Sequence, residues 1–498
     1  MKLIKPLLAI ASLLDPQDPS KANDLSRSIL PIDHPASVQF NAWLSAFNTG
    51  DKETLLNYHS DAIFPYSAAR RPLSNVEAEL HFPKVFESLH IADVDDSSRP
   101  NWVVVTLKGG DPSPYFRATM AVDVSSPQYT VRYFDMHPIV TPLHFIPKDD
   151  PRRPQFEKVL RPLTASKRTA VVDGLSAVLR DQFVDPKAAE DIITALGNHL
   201  KSGAYDGYQD SWDFARRISI DMRTSHNPLL GVVFTEPRGN ISNEMRRPQN
   251  HLEHLRQMNF GFGTISFDTQ TVPGQTIATL PINQFMPPSA DFSTDWQEIR
   301  KEISDILNII SDADALLVDL RHNRGGDPLT VSFILSYFMD NGPLHTLDFV
   351  DRSGKAEKSF YTTAADELPG GTRRFGGTKP LFVLTGNETV LGAEYMAYSL
   401  KVFQRSRATI GEGNDATAGA ANSITKPRYI CEDIFGEGWW MVLVPSATPV
   451  HAITKSNWEG VGVKSDIVAG KGEWEGVSDA EEVGRRLAGL ILAQRTEL

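Results

Sequence analysis

The stretch Ala315–Pro328, ALLVDLRHNRGGDP, restricts the fold of this chain more than any other. Its opening residues run apolar without polar alternation, so the strand they form has to be covered on both faces, as in the parallel sheets of α/β proteins. The strand closes on Asp319 and Arg321 and opens through Gly325-Gly326 into a helix. Glycines at such a junction let backbone N–H groups face a cavity, and consecutive donors near a helix start can hold an oxyanion.

Strands and helices alternate on both sides of this point. The pattern predicts strands over Thr276–Leu280, Ala315–Leu320 and Leu381–Thr385, and helices over Asp295–Ser311, Leu329–Phe338, Ala393–Phe403 and Asp479–Gln494. Residues 259–498 therefore read as an α/β core closed by a C-terminal helix. Residues 35–146 read as an α+β domain. Phe40, Trp43, Leu44 and Phe47 recur at helical spacing and open a helical hairpin, which an antiparallel meander over Trp102–Leu107, Tyr115–Val124 and Tyr129–His137 follows. No acid–base pair stands out there, and His59, His81 and His137 read as structural. The linker-like PKDDPRRP leads into a helical module over residues 147–258, with helical spacing in Ala170–Phe183, Ala188–Leu200 and Tyr205–Arg223. His251 and His254 of HLEH share a helix face, but no third ligand lies in register, so a solvated helix rather than a metal site is expected.

Composition narrows the classes further. A chain of 498 residues corresponds to about three domains. With 41% hydrophobic and 22% charged residues it is neither globally disordered nor a multi-span membrane protein. A net charge of −12 without a basic run argues against nucleic acid as a partner. Cys431 stands alone, which rules out an intramolecular disulfide and a Cys-rich zinc site. Lys2 and Lys5 precede a short apolar run that Pro6 interrupts, within a tail over residues 1–34. Two readings stay open: a frayed or helical tail on a cytoplasmic chain, the favoured one, and a secretory signal.

Four ordered blocks carry a family resemblance: ALLVDLRHNRGGDP; KPLFVLTGNETVLGAEYMAYSLK from Lys379; ATIGEGNDATAGAANS from Ala408; and SNWEGVGVKSDI from Ser456. In this order they resemble the tail-specific (C-terminal processing) serine peptidase family, especially its branch similar to the interphotoreceptor retinoid-binding protein. The resemblance implies a crotonase-like α/β core. The opening phrase W…AFNTGD and the meander behind it resemble the SnoaL and nuclear-transport-factor-like cone, which often encloses an apolar pocket.

Residue by residue, the resemblance implies a damaged site. Active members carry a serine three residues before a glutamate; here Glu394 sets the register and Leu391 falls at the nucleophile. Leucine has neither the proton nor the lone pair needed to form an acyl-enzyme. The lysine base of the dyad branch falls at Ala416, and no lysine occurs between Lys401 and Lys426. The histidine of the triad branch has no counterpart in TIATLPINQF. Gly325 and Gly326 match the oxyanion-hole glycines, Gly392 adjoins the nucleophile position, and Glu459 matches an orienting glutamate or is a capping surface residue. His226 resembles a family "SH" motif or ends a helix. Thr389 and Ser399 are the nearest hydroxyls, and neither has a base in sight.

The expectation is a peptidase-fold protein that has lost hydrolysis and binds, or transforms without covalent catalysis in the manner of a cyclase or isomerase, a small apolar molecule. Arg321, Thr389 and Trp458 are its candidate ligand contacts. Two alternatives stay open: an active peptidase or esterase with an unrecognised nucleophile, and a non-cleaving binder of peptide C-termini. No metal or organic cofactor is called for. Self-association is expected by analogy with related folds.

Overall fold

A computed structural model describes residues 30–31, 33–60, 63–64, 79, 88–110, 115–223, 230–237, 251–286, 295–412, 417–418, 428–458 and 461–496. The chain divides into two compact units, Met1–Arg161 and Pro162–Leu498.

In the first unit, helices α1 (Pro35–Thr49) and α2 (Lys52–Tyr58) precede four strands, β1 (His90–Val94), β2 (Trp102–Lys108), β3 (Tyr115–Val122) and β4 (Val131–Ile139), and a short helix α3 (Arg153–Val159). Gly50 ends α1 in the left-handed region, and Asp51 caps α2 through its carboxylate and the Thr54 N–H. The strands pair antiparallel in the order β1-β2-β3-β4. Strand β1, HIADV, extends the three-strand meander expected from sequence; its mix of polar and apolar residues gives no clear alternation. The core joins Phe40, Trp43 and Phe47 of α1 to Val103, Val105, Phe116, Ala118 and Met120 of the sheet.

The second unit opens with helices α4 (Ala165–Gln182), α5 (Pro186–Lys201) and α6 (Ser211–Met222). Tyr205, expected in the last of these, precedes it in a turn, because Asp210 caps α6 by accepting from the N–H groups of Trp212 and Asp213. Strand β5 (Gly231–Phe234), helix α7 (His251–Gln257), β6 (Ser266–Asp268), β7 (Ile277–Pro281), helix α8 (Asp295–Asn308), β8 (Ala315–Asp319), helix α9 (Pro328–Leu335), β9 (His345–Asp351), β10 (Ala356–Tyr361), β11 (Leu381–Thr385), helix α10 (Gly392–Val402) and β12 (Ala408–Gly411) follow. The chain closes through β13 (Thr417–Ala418), β14 (Arg428–Asp433), β15 (Trp440–His451), β16 (Val463–Lys464), β17 (Ile467–Val468) and helix α11 (Ala480–Thr496).

The central sheet runs β17-β12-β11-β8-β7-β6 and is parallel except at β6. Alternate residues of its strands enter two cores. Leu316, Val318, Leu381 and Val383 face one that includes Ile299, Ile303, Val331 and Met396 of helices α8, α9 and α10. Leu317, Phe382, Leu384 and Ile410 face another with Val483, Ala488 and Leu492 of α11. Coverage of both faces is why these strands read as unbroken apolar runs. A second sheet, β10-β9-β15-β14, has β5 beside β15 and was not expected from sequence. β5 reaches β15 across about two hundred residues of chain, so the helical stretch that bears it shares one compact unit with the later strands. Among the described residues no helix is long and apolar enough to cross a membrane.

Candidate functional site

Because β8 and β11 are adjacent and parallel, in register from Leu381 opposite Leu316 to Leu384 opposite Asp319, the turns that leave them lie side by side at the carboxyl end of the sheet. In open α/β sheets that end is where sites are built. Gly386 packs on the Arg321 backbone, and the Val390 N–H donates to the Asn323 carbonyl at 3.2 Å.

Leu391 occupies the last position before α10 with φ 58° and ψ −117°, a conformation costly for a branched side chain. Two contacts hold it there. Its N–H donates to the Glu394 Oε2 at 3.0 Å, and Glu394 is fully buried. Its Cβ lies against Gly325, where an added Cβ would approach to 2.6 Å. Gly325 and Gly326, at φ +98° and +139°, are thus required by space as well as by conformation: a Cβ on Gly326 would fall 2.0 Å from the Phe285 carbonyl oxygen. Gly392 packs against Gly326 and the Phe285 ring, and as the first residue of α10 its N–H has no intrahelical acceptor.

The glycine pair is less free as a donor set than the sequence suggests. The Gly325 N–H donates to the Asn323 Oδ1 at 2.7 Å, and Asn323, fully buried, donates its own amide to the Ile282 carbonyl. The Gly325 carbonyl and the Asp327 N–H are tied to the Phe285 backbone. Sequence reasoning missed Asn323, whose role appears only when the turn closes on itself.

The other candidates are placed as follows. Arg321 forms a bidentate pair with Asp319 and reaches Asp479 at 3.0 Å, Glu481 at 3.3 Å and Glu412 at 3.5 Å. Thr389 is buried and saturated: its hydroxyl donates to the Leu320 carbonyl and accepts from the Gly386 N–H. Ser399 is buried in α10, and its Oγ has no hydrogen-bond partner. Trp458 is buried, stacked parallel to Tyr395 and 5.0 Å from the Tyr398 ring. Glu459, His226, His81 and the Ala416 position lie outside the described residues, and of the side chains of His251 and His254 nothing is described.

Two exposed residues flank Asn323 on the same loop. His322 Nδ1 lies 3.3 Å from Glu388, and Arg324 donates to the other Glu388 oxygen at 2.6 Å. This imidazole–carboxylate pair on neighbouring turns was not singled out from sequence, since nothing local links residues 322 and 388.

Residues 276–468 match the model of peptidase family S41. The matched segment runs from the start of β7 to the end of β17 and contains both turns of the site. The S41 segment thus supports the tail-specific, C-terminal-processing resemblance at the level of the domain. Among solved structures the chain is similar to a lipoprotein from Streptococcus agalactiae, at 12% identity and TM-score 0.38, covering 62% of this chain and 93% of that one. It is similar to the photosystem II D1 C-terminal processing protease at 13% identity and TM-score 0.38, covering 66% and 98%. It is also similar to the tricorn protease at 14% identity and TM-score 0.33, covering 76% of this chain and 39% of that one. None of these lends a residue role to this chain.

Proposed function

We propose that the S41 domain of this chain does not hydrolyse peptides through an acyl-enzyme and instead binds, or rearranges without covalent catalysis, a small apolar molecule bearing a carbonyl group. The observation that carries the reading is Leu391 at the turn into α10, in a backbone conformation that presents its side chain beside Gly325 and Gly392. The nearest alternative hydroxyls argue the same way: Thr389 spends its hydroxyl on the turn, and Ser399 is sealed in the core. The Ala393 N–H is spent on the Val390 carbonyl, which leaves the Gly392 N–H at the positive end of α10 as the donor that polarises a ligand carbonyl without attacking it. In family terms the reading places the chain in the branch similar to the interphotoreceptor retinoid-binding protein, with a SnoaL-like cone in the first unit. The organisation into residues 35–146, 147–258 and 259–498 is a proposal on the same footing, which limited proteolysis at the two boundaries tests.

A second reading, a serine-type hydrolase with another nucleophile, is favoured by the His322–Glu388 pair, the kind of oriented imidazole a base requires. One experiment separates the two. Intact mass is measured after incubation of the full chain and of Leu391→Ser with a broad fluorophosphonate. The native chain is expected to stay unlabelled. Labelling of the native chain, at whatever residue, overturns the non-hydrolytic reading.

A further inference from the structure

The turns of the S41 site carry an oriented base with nothing on the protein to deprotonate. Glu388, 16% exposed, stands behind two outward side chains. Arg324 donates to its Oε1 at 2.6 Å, and His322 Nδ1 lies 3.3 Å from its Oε2; the two are 56% and 65% exposed. A carboxylate only accepts hydrogen bonds, so the neutral imidazole keeps its hydrogen on Nδ1 and presents the lone pair of Nε2. Among the described residues Nδ1 is the ring nitrogen that has a partner, and Nε2 is left to solvent.

A base acts only on a proton within its reach. Leu320–Pro328 contains no serine, threonine or cysteine, and Gly386–Gly392 contains Thr389 alone, whose hydroxyl is committed to the Leu320 carbonyl and the Gly386 N–H. On these two turns the proton has to come from a ligand. The same turns fix where that ligand sits. Asn323, fully buried between His322 and Arg324, accepts the Val390 N–H on its carbonyl and the Gly325 N–H on its Oδ1, so both outward side chains rise from a held piece of backbone. Gly325 packs on Leu391, and Gly392 follows with the N–H that polarises a carbonyl in the function proposed above. Three Cα–Cα steps, at most about 11 Å, separate His322 from Gly325.

We propose that His322 is the acid–base residue of this site and that its substrate is a small apolar ketone bearing a hydrogen on the carbon next to the carbonyl, which the protein interconverts with its enol. The inference rests on the non-hydrolytic reading of the site and names the reaction within it. With the carbonyl oxygen on the Gly392 N–H, Nε2 takes the proton from the adjacent carbon. The electron pair of that C–H bond becomes the C=C bond, and the π pair of the carbonyl moves to the oxygen that the N–H holds. The imidazolium then returns the proton to that oxygen, so atoms and electrons balance without a co-reactant. Glu388 is a positioning residue that holds the imidazole and steadies its positive charge. Arg324 acts through Glu388 by occupying the other oxygen.

The test follows deuterium uptake from heavy water into 4-phenylbutan-2-one by proton NMR, with the full chain and its variants. The native chain is expected to accelerate uptake at the carbons beside the carbonyl on the order of a hundredfold over buffer holding an equal concentration of free imidazole. His322→Gln is expected to return the rate to that of the buffer, while His144→Gln, which removes an exposed imidazole of the first unit, leaves it unchanged. Glu388→Gln is expected to lower kcat about tenfold with KM nearly constant, the signature of lost orientation rather than a lost ligand contact. Urea midpoints report the folding of each variant. Uptake by the native chain no faster than in the imidazole buffer, or uptake unaffected by His322→Gln, overturns the proposal. Fluorophosphonate labelling reads the other question. An unlabelled chain without exchange leaves the non-hydrolytic reading standing and removes only this step; a labelled chain removes that reading whatever the exchange.

Discussion

Gly325 lies against Leu391 so closely that a Cβ at residue 325 would stand 2.6 Å from the Cβ of residue 391. The two residues belong to turns that leave adjacent parallel strands, and the contact welds those turns together. Adding a methyl group must push one turn away while the backbone is also forced at φ +98°. Gly325→Ala is expected to cost about 2–4 kcal/mol, and Gly326→Ala more, because a Cβ there would stand 2.0 Å from the Phe285 carbonyl oxygen and 2.6 Å from that residue's backbone carbon and nitrogen. Urea midpoints measure both; unchanged midpoints would show that the turns yield freely.

The conformation of Leu391 makes a separate prediction. With φ at 58°, every residue that has a Cβ is strained there, and glycine is not. Leu391→Gly is therefore expected to be more stable than Leu391→Ala by about 1 kcal/mol, the reverse of the order in an ordinary helix interior. Denaturant unfolding of the two variants side by side reads the difference directly.

His451 sets a pH dependence. Fully buried in β15 between the rings of Tyr398 and Phe403, it is held at about 4 rather than the ordinary 6.5, first by burial and then by the nearby positive groups of His345 and Lys455. Its folded form binds protons less readily than the unfolded chain, so its stabilising contribution is complete above pH 6.5 and is lost as pH falls through 4. The interval amounts to roughly 3 kcal/mol. Stability measured between pH 7 and pH 4 should fall more steeply for the native chain than for His451→Phe; parallel curves would contradict the assignment.

Arg321 balances acids drawn from distant parts of the chain. Asp319 is nearly buried beside it, and Glu412, Asp479 and Glu481 converge on the same guanidinium. Arg321→Met is expected to destabilise by about 3–5 kcal/mol, since it leaves a buried carboxylate uncompensated. Asp319→Asn added to it should return part of the loss. A double-mutant cycle on chemical denaturation gives both numbers, and the absence of coupling would reduce the cluster to surface charge.

Much of the scaffold was legible because its cause is local. The apolar run of Leu381–Thr385 bounds β11 as the structure has it, and the expected helix ends fall within a few residues of α8, α10 and α11. The register of Leu391 could be counted back from Glu394, and the structure places that glutamate's carboxylate on the Leu391 N–H. The glycines were recognised as a turn, but not that Asn323 takes the Gly325 N–H. The second sheet was missed, since β9, β14 and β15 mix buried and exposed positions and find their partners far along the chain.

What the sequence determined by itself was periodicity: which segments could hide an apolar face, where glycine had to turn the backbone, and that the residue three before Glu394 is a leucine. Those properties are fixed by neighbours three or four positions away. Only the tertiary structure decided which polar groups meet, as with Glu79 and His59, Arg321 and Asp479, or His322 and Glu388. Charged and hydrogen-bonding side chains leave no periodic trace, and their partners are chosen by how the packed elements bring distant loops together.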